Sequence, residues 1–403
     1  MSTMKRTSTN LLYLQSGGPT AVINSSFAGL VKAFKKDKNH GHFYYSHYGV
    51  KGLSEGKLVE VDLEKVPVLS FRPGSYTGSL RKKLPSDSKD PFAEKILKTL
   101  IKYQIDAVFF NGGNDSMDSA ATLASYVKER NLPIKVFGIP KTIDNDLTGC
   151  DHTPGFGTAA KFVANSTIAI GLDDLSYEKG RVNILETMGR DSGFVTASAI
   201  LASLKGIKPD YIYVPEVPFS IPDFLAKCKA TYSKKGHCLV VVSEGIREKD
   251  GTLIATDSLA KDAFNNRQVG GVGKYLASLI GQEGIKTRGI ELSLLNRASS
   301  FLPSLTDIKE AEGVAIEAYR CYQKGLTGVM VTLGRKKEEK YAPLYGTIAL
   351  EKAKDIARTL PKKYINKAGD NISASYIDYV FPLIQGNAIP LSNDGLLNIG
   401  EER

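Results

Sequence analysis

The chain has 403 residues, of which 42% are hydrophobic and 24% charged, values typical of a globular protein large enough for two domains. No apolar stretch reaches the length that spans a bilayer, and the amino-terminal residues lack the pattern of a secretory leader. The four cysteines are dispersed and form no CxxC pair, so reduced thiols in a cytoplasmic protein are expected.

The net charge of +10 is compatible with two kinds of partner, nucleic acids and small polyanionic substrates. The basic residues occur in short, separated runs, and no zinc finger, RRM or long basic helix accompanies them. We therefore expect no nucleic-acid partner and no membrane partner, and the small polyanionic substrate remains.

Segments with strand character alternate with segments of helical periodicity. The first predicted helix shows this period in Ile23, Phe27, Leu30 and Phe34. Strands are predicted at 10–15, 106–113, 135–139, 181–188, 211–216, 238–245 and 327–335. Helices are predicted at 21–36, 116–131 and 351–364. This alternation predicts an α/β fold in which crossover helices join parallel strands.

The length and the alternation together indicate two Rossmann-like parallel-sheet domains with the active site in the cleft between them. One unit is expected to comprise residues 1–154 and 297–403, and the other residues 155–296. Ligands of such sheets bind beyond the carboxyl ends of the strands, and several polar loops of this chain follow strand ends.

The first polar loop is SGGPTAVIN at 16–24. Its two glycines allow a close approach of the backbone to an anion, and the following helix presents unpaired N–H groups. The loop matches neither GxxxxGK[ST] nor GxGxxG, so an ordinary glycine turn remains the alternative.

Two further loops carry oxygen-rich side chains and a lysine. In NGGNDS at 111–116, Asn114 and Asp115 offer oxygen ligands to a divalent cation, and helix capping is the alternative. In PKTIDND at 140–146, an extended stretch would place Asp144 and Asp146 on the same side. A carboxylate there could accept a hydroxyl proton while Lys141 holds a phosphate, and an ordinary turn is again the alternative.

Arginines at the ends of separate strands suit the recognition of phosphate oxygens. They are Arg181, Arg190, Arg288 and Arg297, and Glu244 follows another apolar strand. Any single arginine taken alone is explained as well by a surface salt bridge.

Taken together, these motifs resemble the phosphofructokinase family over essentially the whole chain. The ordered series is SGGPTAVIN, GSYTGSLR, GGNDS, PKTIDND, GRVNILETMGRDSGF, SEGI and TRG followed by NR. Family members that use ATP generally have a glycine at the positions of Asp115 and Lys141, whereas pyrophosphate users have Asp and Lys. The resemblance therefore implies the pyrophosphate-dependent branch.

The activity implied is a reversible, Mg²⁺-dependent transfer of phosphate from pyrophosphate to the C1 hydroxyl of fructose 6-phosphate. The products would be fructose 1,6-bisphosphate and phosphate, in glycolysis or gluconeogenesis. An ATP-dependent 6-phosphofructokinase and a catalytically silent regulatory member are the alternatives. Asp115 and Lys141 argue against the first, and the retained Asp144 argues against the second.

The resemblance also implies a role for each matching residue. Asp144 would be the base, with Lys141 and Asp115 assisting catalysis, and Gly18, Arg81 and Lys141 would bind pyrophosphate. The sugar phosphate would contact Thr142, Ile143, Asp144, Arg181, Met188, Gly189, Arg190, Glu244, Arg288 and Arg297. Arg181 and Arg288 would reach it from a neighbouring subunit, which implies a homodimer or homotetramer.

Two positions depart from the family pattern. Asp146 would hold the metal, but Asn114 stands where the family usually has a metal-associated aspartate, and its neutral amide is a weaker ligand. Leu294 stands where many relatives have a His or Tyr, so one hydrogen bond to the sugar would be missing.

Overall fold

The computed structural model describes residues 8–261, 267–336, 338, 340–353, 357–388, 394–397 and 399. Its strands are β1 Thr9–Gln15, β2 His40–Ser46, β3 Leu58–Glu60, β4 Ala107–Gly112, β5 Lys135–Pro140, β6 Val182–Thr187, β7 Tyr211–Tyr213, β8 Cys238–Ser243, β9 Thr256–Lys261, β10 Arg267–Val269, β11 Thr287–Glu291, β12 Val329–Arg335 and β13 Pro343–Ala349. Its α-helices are α1 Ile23–Lys35, α2 Val50–Ser54, α3 Pro91–Lys102, α4 Asn114–Glu129, α5 Phe156–Leu175, α6 Phe194–Ala197, α7 Ile221–Lys235, α8 Val272–Gly281, α9 Leu295–Ala298, α10 Leu305–Gln323, α11 Leu350–Ala353 and α12 Ser375–Val380. Short 3-10 helices cover Val66–Phe71, Ser198–Lys205, Lys362–Tyr364 and Phe381–Ile384.

Seven strands form the larger sheet, in the order β13-β12-β5-β4-β1-β2-β3. The pairs from β12 to β2 are parallel, and the two edge strands β13 and β3 are antiparallel. Successive residues of a strand point to opposite faces, so Leu11 and Tyr13 pack under α1 and α10, whereas Leu12 and Leu14 pack under α3 and α4. Helices therefore cover both faces of this sheet.

The smaller sheet has four parallel strands in the order β11-β6-β8-β7. Val182 and Ile184 of β6 face α7 and α8, and Leu185, which follows Ile184, points to the opposite face of the sheet and packs against α5. The result is a second helix–sheet–helix sandwich, so the predicted α/β class with parallel sheets in two units is confirmed.

Most predicted elements occur within a few residues of the expected bounds, but the helix predicted at 351–364 is confirmed only at its start and is wrong from residue 357 onward. Within the described residues, α11 ends at Ala353, and Ala357 bridges instead to Leu147. Residues 354–356 lie outside the described part of the chain. The backbone N–H of Arg358 donates to the Asp146 carbonyl rather than within a helix, and Pro361 has no N–H to continue one.

The carboxyl-terminal residues pack beside the smaller sheet. Leu360, Tyr364 and Tyr376 belong to the same buried cluster as Phe194 and Val214. The predicted unit bounds, 1–154 with 297–403 and 155–296, stay a prediction, and this packing favours grouping residues 360–383 with the second unit. None of the helices within the described ranges combines the length and the apolar character that crossing a membrane requires.

The close packing of α1 on α10 depends on a glycine. A Cβ atom on Gly29 would lie 2.7 Å from the Glu312 Cα atom. Gly29→Ala is therefore expected to lower the free energy of unfolding by about 1–3 kcal/mol in urea denaturation, because the two helices must move apart.

Gly281→Ala is the matched control for Gly29→Ala, because Gly281 ends α8 and its added Cβ would make only an ordinary contact with Thr287. It should leave stability unchanged or raise it slightly, since Ala is the better helix former. Equal effects of the two substitutions would contradict the packing argument.

Candidate active site

A cavity of about 280 Å³ lies between the two sheets, where loops follow the carboxyl ends of β1, β4, β5, β6 and β8. The predicted site residues that line it are Gly18, Arg81, Asn114, Asp115, Lys141, Thr142, Ile143, Asp144, Asp146, Met188, Arg190, Glu244 and Arg297. Three predicted residues, Gly189, Arg181 and Arg288, are not part of this lining. Neighbouring parallel strands bring their polar loops to one place, as expected for such sheets.

The loop after β1 lies close to three cationic side chains. The Lys141 ammonium donates a hydrogen bond to the Gly18 carbonyl oxygen at 2.7 Å. A Cβ atom on Gly18 would clash with the Arg297 guanidinium and would lie 3.6 Å from the Arg81 Nη2 atom. Gly18 therefore makes room for two arginines, and the loop is more than an ordinary turn.

Lys141 is buried and has both arginines and aspartates as charged neighbours. Burial, followed by the nearby guanidinium groups of Arg297 and Arg81, lowers the pKa of Lys141 to about 7, although Asp144 and Asp146 oppose this shift. An anion bound in the cavity would favour the charged ammonium. Near neutral pH, the protonation of Lys141 therefore depends on whether an anion is bound in the cavity.

The loop carrying Asp144 and Asp146 is not extended, so the alternation argument for it is wrong. Asn145 adopts a left-handed conformation with φ +58°, which turns the chain between the two aspartates. Both nevertheless line the cavity, because the turn returns them to the same side. The Thr142 hydroxyl accepts a hydrogen bond from the Asp144 N–H at 3.1 Å.

Burial is the main cause of raised pKa values at both aspartates. Burial raises the pKa of Asp144, with Lys141 opposing the shift. Burial and the nearby Asp144 carboxylate raise the pKa of Asp146 to about 7. The two carboxylates repel each other in a partly desolvated place, which favours a ligand that brings positive charge or a proton.

The side chains of Asn114 and Asp146 form a hydrogen-bonded pair. The Asn114 amide donates to Asp146 Oδ2 at 2.7 Å. Within the described residues, Asn114 Oδ1 and Asp146 Oδ1 are both buried and accept no hydrogen bond. Oxygen donors of this kind fit a hard divalent cation. No three described His, Cys, Asp or Glu side chains form a metal-binding group, so ligand oxygens or water would have to complete the shell.

Asp115 lies in the first turn of α4 at the mouth of the cavity. The N-cap of α4 is Gly113, without a side-chain capping bond, so the capping alternative for this cluster is wrong. The Asp115 carboxylate is about half exposed, 53%, and lies 3.6 Å from the Lys83 ammonium. Lys83 was not among the predicted site residues, and no feature of the sequence distinguishes it from the other surface lysines.

The second unit contributes a carboxylate held by the backbone. The Gly189 N–H donates to the Glu244 carboxylate at 3.2 Å, and Gly189 has φ +133°, which favours glycine. Burial raises the pKa of Glu244 to about 7. Asn296 was not predicted, yet its side-chain oxygen accepts the Met188 N–H at 2.9 Å. Asp191 also lines the cavity and was missed, although it lies in the quoted MGRDSG motif.

Arg181 and Arg288 lie away from this cavity. Arg181 pairs with Asp174 at 3.3 Å and its guanidinium lies 5.5 Å from the Tyr177 ring centroid. Arg288 is exposed on β11. Neither arginine can contact a ligand in the cavity of its own chain from the position observed.

Known proteins similar to this chain were found by sequence and by structure. The model of the family described as Phosphofructokinase matches residues 10–322. A pyrophosphate–fructose 6-phosphate 1-phosphotransferase from Halomonas elongata is 34% identical over 97% of this chain and 96% of its own length. A sulfofructose kinase from Alkalicoccus urumqiensis is 32% identical over 88% of this chain and 91% of its own length. The crystal structure of a pyrophosphate-dependent phosphofructokinase from Nitrosospira multiformis superposes with a TM-score of 0.87 at 31% identity, covering 97% of this chain and 95% of that one.

The pKa of Lys141 predicts how anion binding depends on pH. Sulfate remains a dianion between pH 6 and 9, and its affinity for the cavity should fall as the pH rises through about 7 and Lys141 loses its proton. In Lys141→Arg the guanidinium stays charged, so the slope of log Kd against pH should be smaller by about one unit.

Calorimetric titration with sulfate across this range measures both slopes. Glu244 and Asp146 titrate in the same pH range and contribute to the pH dependence of sulfate binding in both the wild type and the variant. The difference between the two slopes therefore reports the contribution of Lys141. Equal slopes would show that Lys141 does not titrate near neutral pH.

Proposed function

The chain belongs to the phosphofructokinase family, and on this premise we propose that it transfers a phosphoryl group from pyrophosphate to fructose 6-phosphate. The products are fructose 1,6-bisphosphate and phosphate, and the reaction runs in both directions, in glycolysis or gluconeogenesis. The observation that carries the proposal is that Lys141 and Asp115 line one cavity with the base candidate Asp144.

Three cationic groups and a glycine loop support pyrophosphate as the donor. Lys141, Arg81 and Arg297 all come close to the Gly17–Gly18 backbone, which leaves room for phosphate oxygens. Asp115 places a carboxylate at the mouth of the cavity, where it would repel the further phosphates of a nucleotide. A glycine there would leave that space open.

Asp144 is positioned to act as the general base. It takes the proton of the C1 hydroxyl while that oxygen bonds to the phosphorus of pyrophosphate, and the bond to the leaving phosphate breaks. Lys141 donates to the leaving phosphate and balances the charge that develops on it. The raised pKa of Asp144 makes it a better proton acceptor than an exposed aspartate would be.

We propose Mg²⁺ as the cofactor, held by Asp146 and Asn114. Their unpaired buried oxygen atoms, Asp146 Oδ1 and Asn114 Oδ1, are the donors that fit it. When bound, Mg²⁺ neutralises charge on the phosphate oxygens of the donor. The neutral Asn114 amide gives this site one charge fewer than a pair of carboxylates.

We assign the sugar phosphate to the side of the cleft that is formed mainly by residues 155–296. We propose that Thr142, Ile143, Met188, Gly189, Arg190, Glu244 and Arg297 contact it. Gly189 also donates its N–H to the Glu244 carboxylate and so holds that carboxylate in place. The donor residues Gly18, Arg81 and Lys141 come from residues 1–154 and most sugar residues from 155–296, which agrees with the proposed division of the chain.

Arg181 and Arg288 support an oligomer. Both lie outside the cavity of their own chain, so we propose that they bind the sugar phosphate in the cavity of a partner subunit of a homodimer or homotetramer. The four cysteines are free and buried, which is typical of proteins in a reducing compartment. We therefore place the enzyme in the cytoplasm.

The first test is formation of fructose 1,6-bisphosphate by the purified protein with Mg²⁺ and either pyrophosphate or ATP. Activity with pyrophosphate alone is expected. Activity with ATP alone would keep the family and the base but overturn the account of Asp115 and Lys141. No product with either donor would favour a regulatory role.

Donor choice is tested by Asp115→Gly. Removing the carboxylate should raise kcat/KM for ATP relative to pyrophosphate by at least about tenfold, because the repulsion of a nucleotide is lost. Asp118→Gly is the matched control, since Asp118 also lies near Lys83 but does not line the cavity. An unchanged ratio in Asp115→Gly, or an equal change in both variants, would contradict this explanation.

A further inference from the structure

A carboxyl-terminal segment lies behind the proposed active site. We define residues 357–383 as the C-terminal strap. The family model matches residues 10–322, so the strap follows the matched region. Its apolar residues pack into the cluster between α5 and the smaller sheet, and its polar groups reach the loops that carry the site residues.

One end of the strap holds the loop that follows β5. The Arg358 N–H donates to the Asp146 carbonyl at 2.8 Å, and its guanidinium donates to the carbonyls of Cys150 and Asp151, the latter at 2.8 Å. These carbonyl groups lie outside the strands of the larger sheet. The strap therefore supplies hydrogen bonds that secondary structure would supply elsewhere.

The same strap holds the loop that follows β6. The Tyr376 hydroxyl donates to the Phe194 carbonyl at 2.7 Å. The Glu216 carboxylate accepts the Leu360 N–H at 2.7 Å and the Gly193 N–H at 2.8 Å. One segment thus connects the loops that flank the cavity from both units.

Tyr379 contacts Asn145, the residue between the two cavity aspartates. Its hydroxyl accepts a hydrogen bond from the Asn145 amide at 2.7 Å and donates one to the Asp151 carbonyl at 2.6 Å. Asn145 is fully buried, is left-handed, and separates Asp144 from Asp146. The direction of its side chain is therefore linked to the directions of the two neighbouring carboxylates.

The Tyr379 ring is itself held in place. The Arg335 guanidinium lies 4.4 Å from the ring centroid and pairs with Asp151 at 2.5 Å. The Tyr364 ring packs 5.6 Å away. A fixed ring gives its hydroxyl the precise location that a positioning role needs.

We propose that Tyr379 is a positioning residue, which through Asn145 fixes the base Asp144 and the metal ligand Asp146 at the geometry for phosphoryl transfer. The proposal rests on the function proposed above for Asp144. Misplacement of reacting groups by about 1 Å can cost on the order of 100-fold in rate, so a single hydroxyl at this place can matter for kcat.

The test is Tyr379→Phe in the full chain, which keeps the ring and removes only the hydroxyl. We expect kcat to fall about 10- to 100-fold, while KM for both substrates changes less than about threefold, because the substrate contacts are untouched. Tyr364→Phe is the matched control. Its ring belongs to the same aromatic cluster, and among the described residues its hydroxyl makes no hydrogen bond, so its kinetics should match the wild type.

Hydrogen–deuterium exchange provides a readout that needs no activity. In Tyr379→Phe the backbone amides of residues 142–151 should exchange faster than in the wild type, and in Tyr364→Phe they should not. If Tyr379→Phe does not fold, Asn145→Gly removes the same hydrogen bond from the other side, and glycine tolerates the left-handed backbone. It should show the same loss of kcat and the same faster exchange.

The outcomes separate the two proposals. Unchanged kcat, unchanged exchange in residues 142–151, a change in KM alone, or equal effects in the two tyrosine variants would each overturn the positioning role. If the wild type transfers no phosphate from any donor, the proposed function fails. The exchange comparison then decides alone whether the strap orders this loop.

Discussion

The burial of Lys141 is the constraint on which the site depends. An ammonium group removed from water needs compensating partners, and here the nearest partner is a neutral carbonyl, that of Gly18. Two arginines oppose its charge and two aspartates favour it, so the balance is close near neutral pH. A bound phosphate group supplies the missing negative charge, which ties the protonation of Lys141 to ligand binding.

The order of the strands brings the groups that surround Lys141 together. Strands β1, β4 and β5 are adjacent and parallel in the larger sheet, so their loops meet at one edge. Glycines in the first loop allow the cations to approach, while the start of α4 provides Asn114 and Asp115. The smaller sheet then closes the cavity with Met188, Arg190 and Glu244. Backbone order thus accounts for most of the convergence.

The sequence predicted the α/β class, the strand ends and most of the cavity lining, because these follow from local periodicity and motif position. It could not predict the turn at Asn145, since extended and left-handed conformations of such a loop leave the same residue pattern. Lys83 and Asn296 were missed because their contacts join residues far apart in the chain. The helix predicted at 351–364 was wrong from residue 357 onward because tertiary hydrogen bonds of Arg358 outweigh local helical tendency.

The strap follows from the same constraint. Two aspartates with raised pKa values repel each other, and a loop outside the sheet has few hydrogen bonds of its own with which to resist that repulsion. Arg358 and Tyr379 supply such bonds from a segment that does not line the cavity, so the loop is held without adding side chains to the cavity. The loop that carries the proposed base and metal ligand therefore also contains two carboxylates that repel each other. Because the strap holds this loop from outside the cavity, it restrains the two carboxylates and leaves the charges of the cavity lining unchanged.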